Sequence, residues 1–306
     1  MRGATLHDSR VNIARINIIE EQIMGRKQRQ FHRLVWHGAA GIVAVWALGI
    51  PIAAAQTFEP TSGTHAWNDD NNWGPSPPQA FPNWSGADAI IQAPTGHLNI
   101  ELNQPITLGG LTVNKATSGN FNTTIVGSET NTLTFDGGTA TLFNDFSSVG
   151  TGLTIISAPI VFDGPFNVKQ GDNDVLRFTS SLSGAGSLTV NRNTDGDGIV
   201  AFNAANTYEG STTVAGNTGT NFTVLRLNHA EAIPGGIGAT GGTSNITLTA
   251  SAILGLGAGD FLRGRGTGPD QIRFQAAANS GFAAYGGNRA VNFGGEGATV
   301  TWGQAG

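Results

Sequence analysis

From Gln56 onward the chain is written in short apolar alternations separated by clusters of Gly, Asn, Asp, Ser and Thr. Leu111-Thr112-Val113, Leu133-Thr134-Phe135, Leu153-Thr154-Ile155, Leu176-Arg177-Phe178 and Leu188-Thr189-Val190 each set two apolar groups two positions apart. Ile199-Val200-Ala201-Phe202, Val224-Leu225-Arg226-Leu227, Ile246-Thr247-Leu248 and Ile272-Arg273-Phe274 continue the pattern. A period of two places the apolar set on one face of an extended segment, and the turn-forming clusters keep each segment short. No helical period occurs after Gln56, so the pattern predicts an all-β body.

The spacing selects an architecture. Leu111, Leu133, Leu153 and Leu176 follow one another at nearly equal intervals, and the interval from Leu225 to Leu248 is of the same size. Leu176, Leu188 and Val200 fall at about half that interval, as if a second strand of the same unit were visible. A unit of about 20–25 residues holding two or three strands suits one turn of a right-handed parallel β-helix, or β-solenoid. The alternative is a β-sandwich, which also has short strands at close spacing. The echo of Gly110-Leu111-Thr112-Val113-Asn114 in Ser187-Leu188-Thr189-Val190-Asn191 favours the solenoid, as do Gly and Asn at strand ends.

Ahead of this body, Gly25-Arg26-Lys27-Gln28-Arg29-Gln30-Phe31-His32-Arg33 is basic, Leu34 to Ile50 is apolar, and Ile52-Ala53-Ala54-Ala55 precedes Gln56. This is the n-, h- and c-region layout of a secretory signal peptide, with Ala53 and Ala55 forming the Ala-x-Ala site and cleavage after Ala55. The alternative is an N-terminal membrane anchor, for which the apolar stretch is short and interrupted by His37 and several glycines. Asp8, Glu20 and Glu21 are foreign to an n-region, so translation is expected to start at Met24. The chain then divides into residues 1–55 (extension and signal peptide), 56–110 (cap and first turn) and 111–306 (repeat region).

Composition agrees with a turn-rich β protein. Glycine numbers 45 of 306 residues, charged residues are only 12%, and there is no cysteine, which excludes disulfides and thiolate chemistry. Past Ala55 there are nine basic and eighteen acidic groups, a net charge of −9, with Lys115 and Lys169 the only lysines. A nucleic-acid partner, which needs a basic face, is excluded from the expectations.

Three segments resemble the autotransporter-associated β-strand repeat family of exported bacterial proteins. The first runs from Trp67-Asn68-Asp69-Asp70-Asn71-Asn72-Trp73-Gly74 through Pro82-Asn83 and Asp88-Ala89-Ile90-Ile91 to Gly109-Gly110-Leu111-Thr112-Val113. The second, Asn206-Thr207-Tyr208-Glu209-Gly210-Ser211-Thr212-Thr213-Val214, is similar to the family's most specific signature. The third runs from Gly281-Phe282-Ala283-Ala284-Tyr285-Gly286-Gly287 to Thr301-Trp302-Gly303. The resemblance implies a parallel β-helix passenger displayed outside the cell, with adhesion as its associated role and no assigned catalytic residue or cofactor. It also implies a longer polypeptide, anchored to the outer membrane by a segment beyond Gly306. In the signature, Val214 is expected to face inward, the Thr run to line the outer face, and Gly210 to turn a corner. Tyr208 is expected to cover the edge of a turn, and Asn206 to hydrogen-bond its own backbone. Trp67 and Trp73 are expected to cap the first turn; with Trp84 they could alternatively form a stacking platform for a glycan.

Candidate chemistry is sparse. His65, His97 and His229 have no metal-ligand spacing, and Gly255-Leu256-Gly257-Ala258-Gly259 reads as corners rather than a phosphate cradle. Asn193-Thr194-Asp195-Gly196-Asp197-Gly198 begins like a calcium loop, but position 12 is Ala204. Asp172 and Asp174 lie about one turn earlier, so Asp172, Asp174, Asp195 and Asp197 could stack as a calcium edge; two solvated turns are the alternative. Arg263-Gly264-Arg265-Gly266 with Arg273 could steer an acidic glycan, or merely offset local acidity. The competing functional class is a glycan-binding or polysaccharide-degrading β-helix, a lyase or hydrolase, for which the sequence shows no paired carboxylates beside a Lys or Arg base.

Overall fold

The computed structural model describes residues 54–74, 80–115, 119–145, 152–171, 175–192, 198–216, 221–238, 242–275 and 279–294, all within the unit Ile52–Gly306. They form a parallel β-helix. The first sheet has ten strands. Nine of them, Gln56–Phe58, Asp88–Ile91, Gly110–Asn114, Ala140–Asp145, Phe166–Gln170, Leu188–Arg192, Thr212–Ala215, Ile246–Leu248 and Ile272–Phe274, are each parallel to the next. A nine-stranded second sheet runs from Gly63–Ala66 to Gly281–Ala284 in the same sense. A four-stranded third sheet contains Ile106–Leu108, Leu133–Phe135, Ile160–Phe162 and Leu182–Ser183. Among the named strands, only Trp73–Gly74 pairs antiparallel, along the outer edge of Gln56–Phe58. A sandwich is built from antiparallel sheets, so that alternative is set aside.

Parallel stacking places each residue over its equivalent in the turn before, so the alternation becomes columns. Ala89, Leu111, Leu142, Val168, Val190, Val214 and Leu248 form one inward column of the first sheet. Ile100, Ile125, Ile156, Phe178, Phe202, Leu227 and Leu256 form the facing one in the second. All are buried. Each aliphatic side chain so buried stabilises the fold by about 1.5–3 kcal/mol relative to exposure, which makes these columns the main support of the stack.

The true period differs from the one expected, because the turns are unequal in length. Leu111 lies on Leu142, a much longer step along the chain than the one that places Val168 on Val190. Leu133 belongs to the third sheet and Leu176 to the second, so the nearly equal intervals between leucines joined strands of different sheets. Leu176, Leu188 and Val200 do alternate between second, first and second sheets, with Leu176 directly on Val200. The echo of Gly110–Asn114 in Ser187–Asn191 lies on one sheet but out of register, since Leu111 shares a column with Val190 rather than with Leu188.

One strand is inverted relative to its sequence reading. In Thr154–Ile156 the inward residues are Thr154 and Ile156, while Leu153 precedes the strand and Ile155 faces out. The reason is a polar patch inside the core. Asn144 Nδ2 donates to Gln170 Oε1 at 2.8 Å, and the Thr154 hydroxyl donates to Asn144 Oδ1 at 2.7 Å. Each buried amide and hydroxyl that would otherwise cost about 1–3 kcal/mol is thereby satisfied.

The corner leading from the third sheet back to the first is stacked glycine. A Cβ on Gly210 would run into the carbonyl of Gly186, and one on Gly186 into that of Gly164. At Gly186 and Gly210 the turns approach too closely for a side chain.

Candidate functional site

Asn206–Val214 rounds this corner. Val214 points into the core, but Thr212 does too, with Thr213 half-exposed on the outer face. Tyr208 is buried rather than lying over an edge, its ring 5.5 Å from Phe162 and continuing an aromatic stack with Phe166 and Phe135. Its hydroxyl shares a hydrogen bond with Thr212 Oγ1 at 2.5 Å, and Thr212 bonds Ser244 Oγ at 3.0 Å. Burial pushes the Tyr208 phenol well above the ordinary tyrosine value, against smaller opposing effects from Thr212 and Arg263. Asn206 is a staple between turns instead of a local turn: its Oδ1 accepts from Leu182 N at 2.8 Å and its Nδ2 donates to Ala232 O at 2.6 Å. Asn83 repeats the device, accepting from Thr107 N at 2.7 Å and donating to Pro105 O at 3.2 Å. Thr207 is exposed, and Gly210 is bare because of the close approach of Gly186.

Trp67 and Trp73 are buried against each other, 4.8 Å between rings, with Phe58 edge-on to Trp73 at 5.1 Å. Both indole N–H groups are satisfied, Trp67 by Pro82 O at 3.1 Å and Trp73 by Trp67 O at 2.7 Å. Trp84 alone is exposed, at 39%, so the three do not make a shared stacking surface.

Arg263 is buried and cannot steer an external ligand. Its guanidinium donates to the carbonyls of Ser244 at 2.7 Å, Pro234 at 3.1 Å and Gly236 at 2.6 Å, pinning these three residues to the solenoid. Burial pushes its pKa down. The histidines serve backbone groups: His65 Nε2 meets Ser62 O nearby, His97 Nδ1 accepts from Asn122 N of the next turn, and His229 Nδ1 accepts from Glu231 N.

Asp172, Asp174, Asp195 and Asp197 lie outside the described residues, as do Ala53 and Met24. The strands flanking the acidic corners do sit in adjacent turns, Phe166–Gln170 on Leu188–Arg192 and Val175–Phe178 on Gly198–Phe202. Among the described residues no group of three or more His, Asp or Glu could hold a metal ion. Ala54 and Ala55 are exposed, immediately before the first strand at Gln56.

A groove of about 310 Å³ lies on the outside of the first sheet. Ile90, Thr112, Phe143 and Lys169 line it from four successive turns in one outward column. Asp88, Gly110 and Thr141 form the neighbouring column, and the Asp88 carboxylate lies across the bare Gly110. Lys169 stands three rungs from the strand of Asp88, about 14 Å along the stack at the usual strand spacing. They can grip two ends of a ligand but not share a proton directly. Sequence reading missed this groove because its residues come from four turns between positions 88 and 169, and only the register joins them.

Comparison of the chain with protein-family models, with curated proteins and with solved structures gives no match in any of the three.

Proposed function

We propose that the protein is an exported structural β-helix of the autotransporter-associated repeat type. It acts as a cell-surface or secreted passenger or stalk with an adhesive role. The observation that carries this reading is the unbroken parallel register of the first sheet. It aligns Thr141, Asn167, Thr189, Thr213 and Thr247 into one outward ladder over five turns. Such a ladder presents hydroxyls and amides for many weak contacts while keeping a stacked sheet wettable. Export is supported by the n-, h- and c-regions ending at Ala55 and by the start of the first strand at the next residue. Cell fractionation tests it: full-length chain should reach the exported fraction shortened to residue 56, and deletion of residues 34–50 should hold it unprocessed in the cytoplasm. Equal export of the deletion variant would overturn the reading.

A second reading, glycan binding, draws on the groove between Asp88 and Lys169. Phe143 and Ile90 offer an apolar floor for a sugar ring, and Asp88, Thr112 and Thr141 offer partners for its hydroxyls.

A further inference from the structure

The inward column of the first sheet is apolar from Ala89 to Leu248, yet its first member, paired with Ala89, is Gln56. Gln56 is 7% exposed, and its Oε1 is buried without a hydrogen-bond partner. It is also the first residue of the first strand, preceded by the exposed Ala54 and Ala55. A buried amide whose oxygen is unsatisfied is unfavourable at the mouth of an apolar column. Cleavage after Ala55 would add a charged α-ammonium to the same residue.

We propose that Gln56 of the exported protein is converted to an N-terminal pyroglutamate. The inference rests on the cleavage after Ala55 put forward above. The neutral α-amine attacks the side-chain carbonyl carbon Cδ. A new C–N bond closes a five-membered lactam, the Cδ–Nε2 bond breaks, and ammonia leaves with the displaced proton. No oxidant, reductant or further reactant is needed. The closure belongs to the newly translocated chain, before the strand docks, because in the docked strand the side chain extends into the core. The product has lost the carboxamide NH₂ and the terminal charge, keeps one N–H and one ring carbonyl, and is shorter and less polar where the column is apolar. A free ammonium would instead sit at the head of this apolar column, beside the buried Ala89. The lactam therefore closes the first turn chemically and blocks aminopeptidases.

The test is mass spectrometry of the N-terminal peptide from full-length protein exported by a bacterial host, alongside labelling with an amine-reactive reagent. The expected peptide begins at residue 56, is lighter than the glutamine form by about 17 Da through loss of ammonia, and resists labelling. The Gln56→Ser variant should begin at the same position at full mass and label fully. A labelled, full-mass Gln56 terminus in the folded protein would overturn the cyclisation while leaving the cleavage intact. A terminus at any other residue would overturn the cleavage reading and the lactam with it.

Discussion

Tyr208, Thr212, Ser244 and Arg263 show how a few polar side chains lock an otherwise apolar interior. The Tyr208 phenol is buried and bonded to Thr212, so its pKa in the folded chain is raised. In the unfolded chain it ionises near its ordinary value of about 10. Its contribution is therefore fully present below about pH 10 and is lost as pH rises beyond that, by about 1.4 kcal/mol per unit, until the folded value is reached. Denaturant unfolding of the wild type should weaken progressively above about pH 10, and Tyr208→Phe should flatten that decline at a cost of about 1 kcal/mol at neutral pH. Arg263 is common to both proteins, so the difference isolates the phenol. An identical alkaline decline in the variant would show that Tyr208 is not held neutral in the core. At this scale the sequence was readable where a residue's role is generic: Val214 inward follows from alternation. It was unreadable where the role depends on a partner in another turn. Asn206 reaching both Leu182 and Ala232, and Arg263 turned inward onto three carbonyls, have no local signature.

At the scale of elements, alternation identified most strands, while their assignment to sheets lay beyond it. A strand of the sequence Leu-Thr-Val looks the same in any of the three sheets. Connections of differing length then hide the period: Val190 stacks on Val214 and Val214 on Leu248, and the second step takes a far longer stretch of chain than the first. Alternation places Leu153 and Ile155 inward, yet Thr154–Ile156 turns Thr154 to the core, where Asn144 on a strand of another sheet accepts from its hydroxyl. Gly255, which looked like a corner, lies inside the strand Ala252–Leu256, where the Tyr285 ring covers it. Stacked register also creates the outer groove, and its composition yields a separable test. Phe143 and Lys169 are only half-buried and face outward, so Phe143→Ala and Lys169→Ala should leave melting nearly unchanged. If the groove holds a sugar, each should weaken oligosaccharide binding on a glycan array by roughly tenfold, the scale of one aromatic or charged contact. Undiminished binding by both variants would remove the glycan reading from this face.

At the scale of the molecule, the parallel β-helix was legible in the turn-bounded alternation along the whole body and in the spacing of Leu176, Leu188 and Val200, which does alternate between two sheets. Each turn buries its apolar columns only against its neighbours, so the first turn needs a cover of its own. There, Trp73–Gly74 runs antiparallel along Gln56–Phe58, and Trp67, Trp73 and Phe58 fill the core beneath it. Polar ladders outside and apolar columns inside need no cofactor to be useful; repetition itself provides a long surface for weak contacts. Everything in the proposed role depends on the protein lying outside the cell. Protease treatment of intact source cells, followed by detection with an antibody against residues 56–294, reads this out. The protein should be degraded while a cytoplasmic marker survives. A chain that retains its residues 24–55 and is degraded only after the cells are lysed would contradict it.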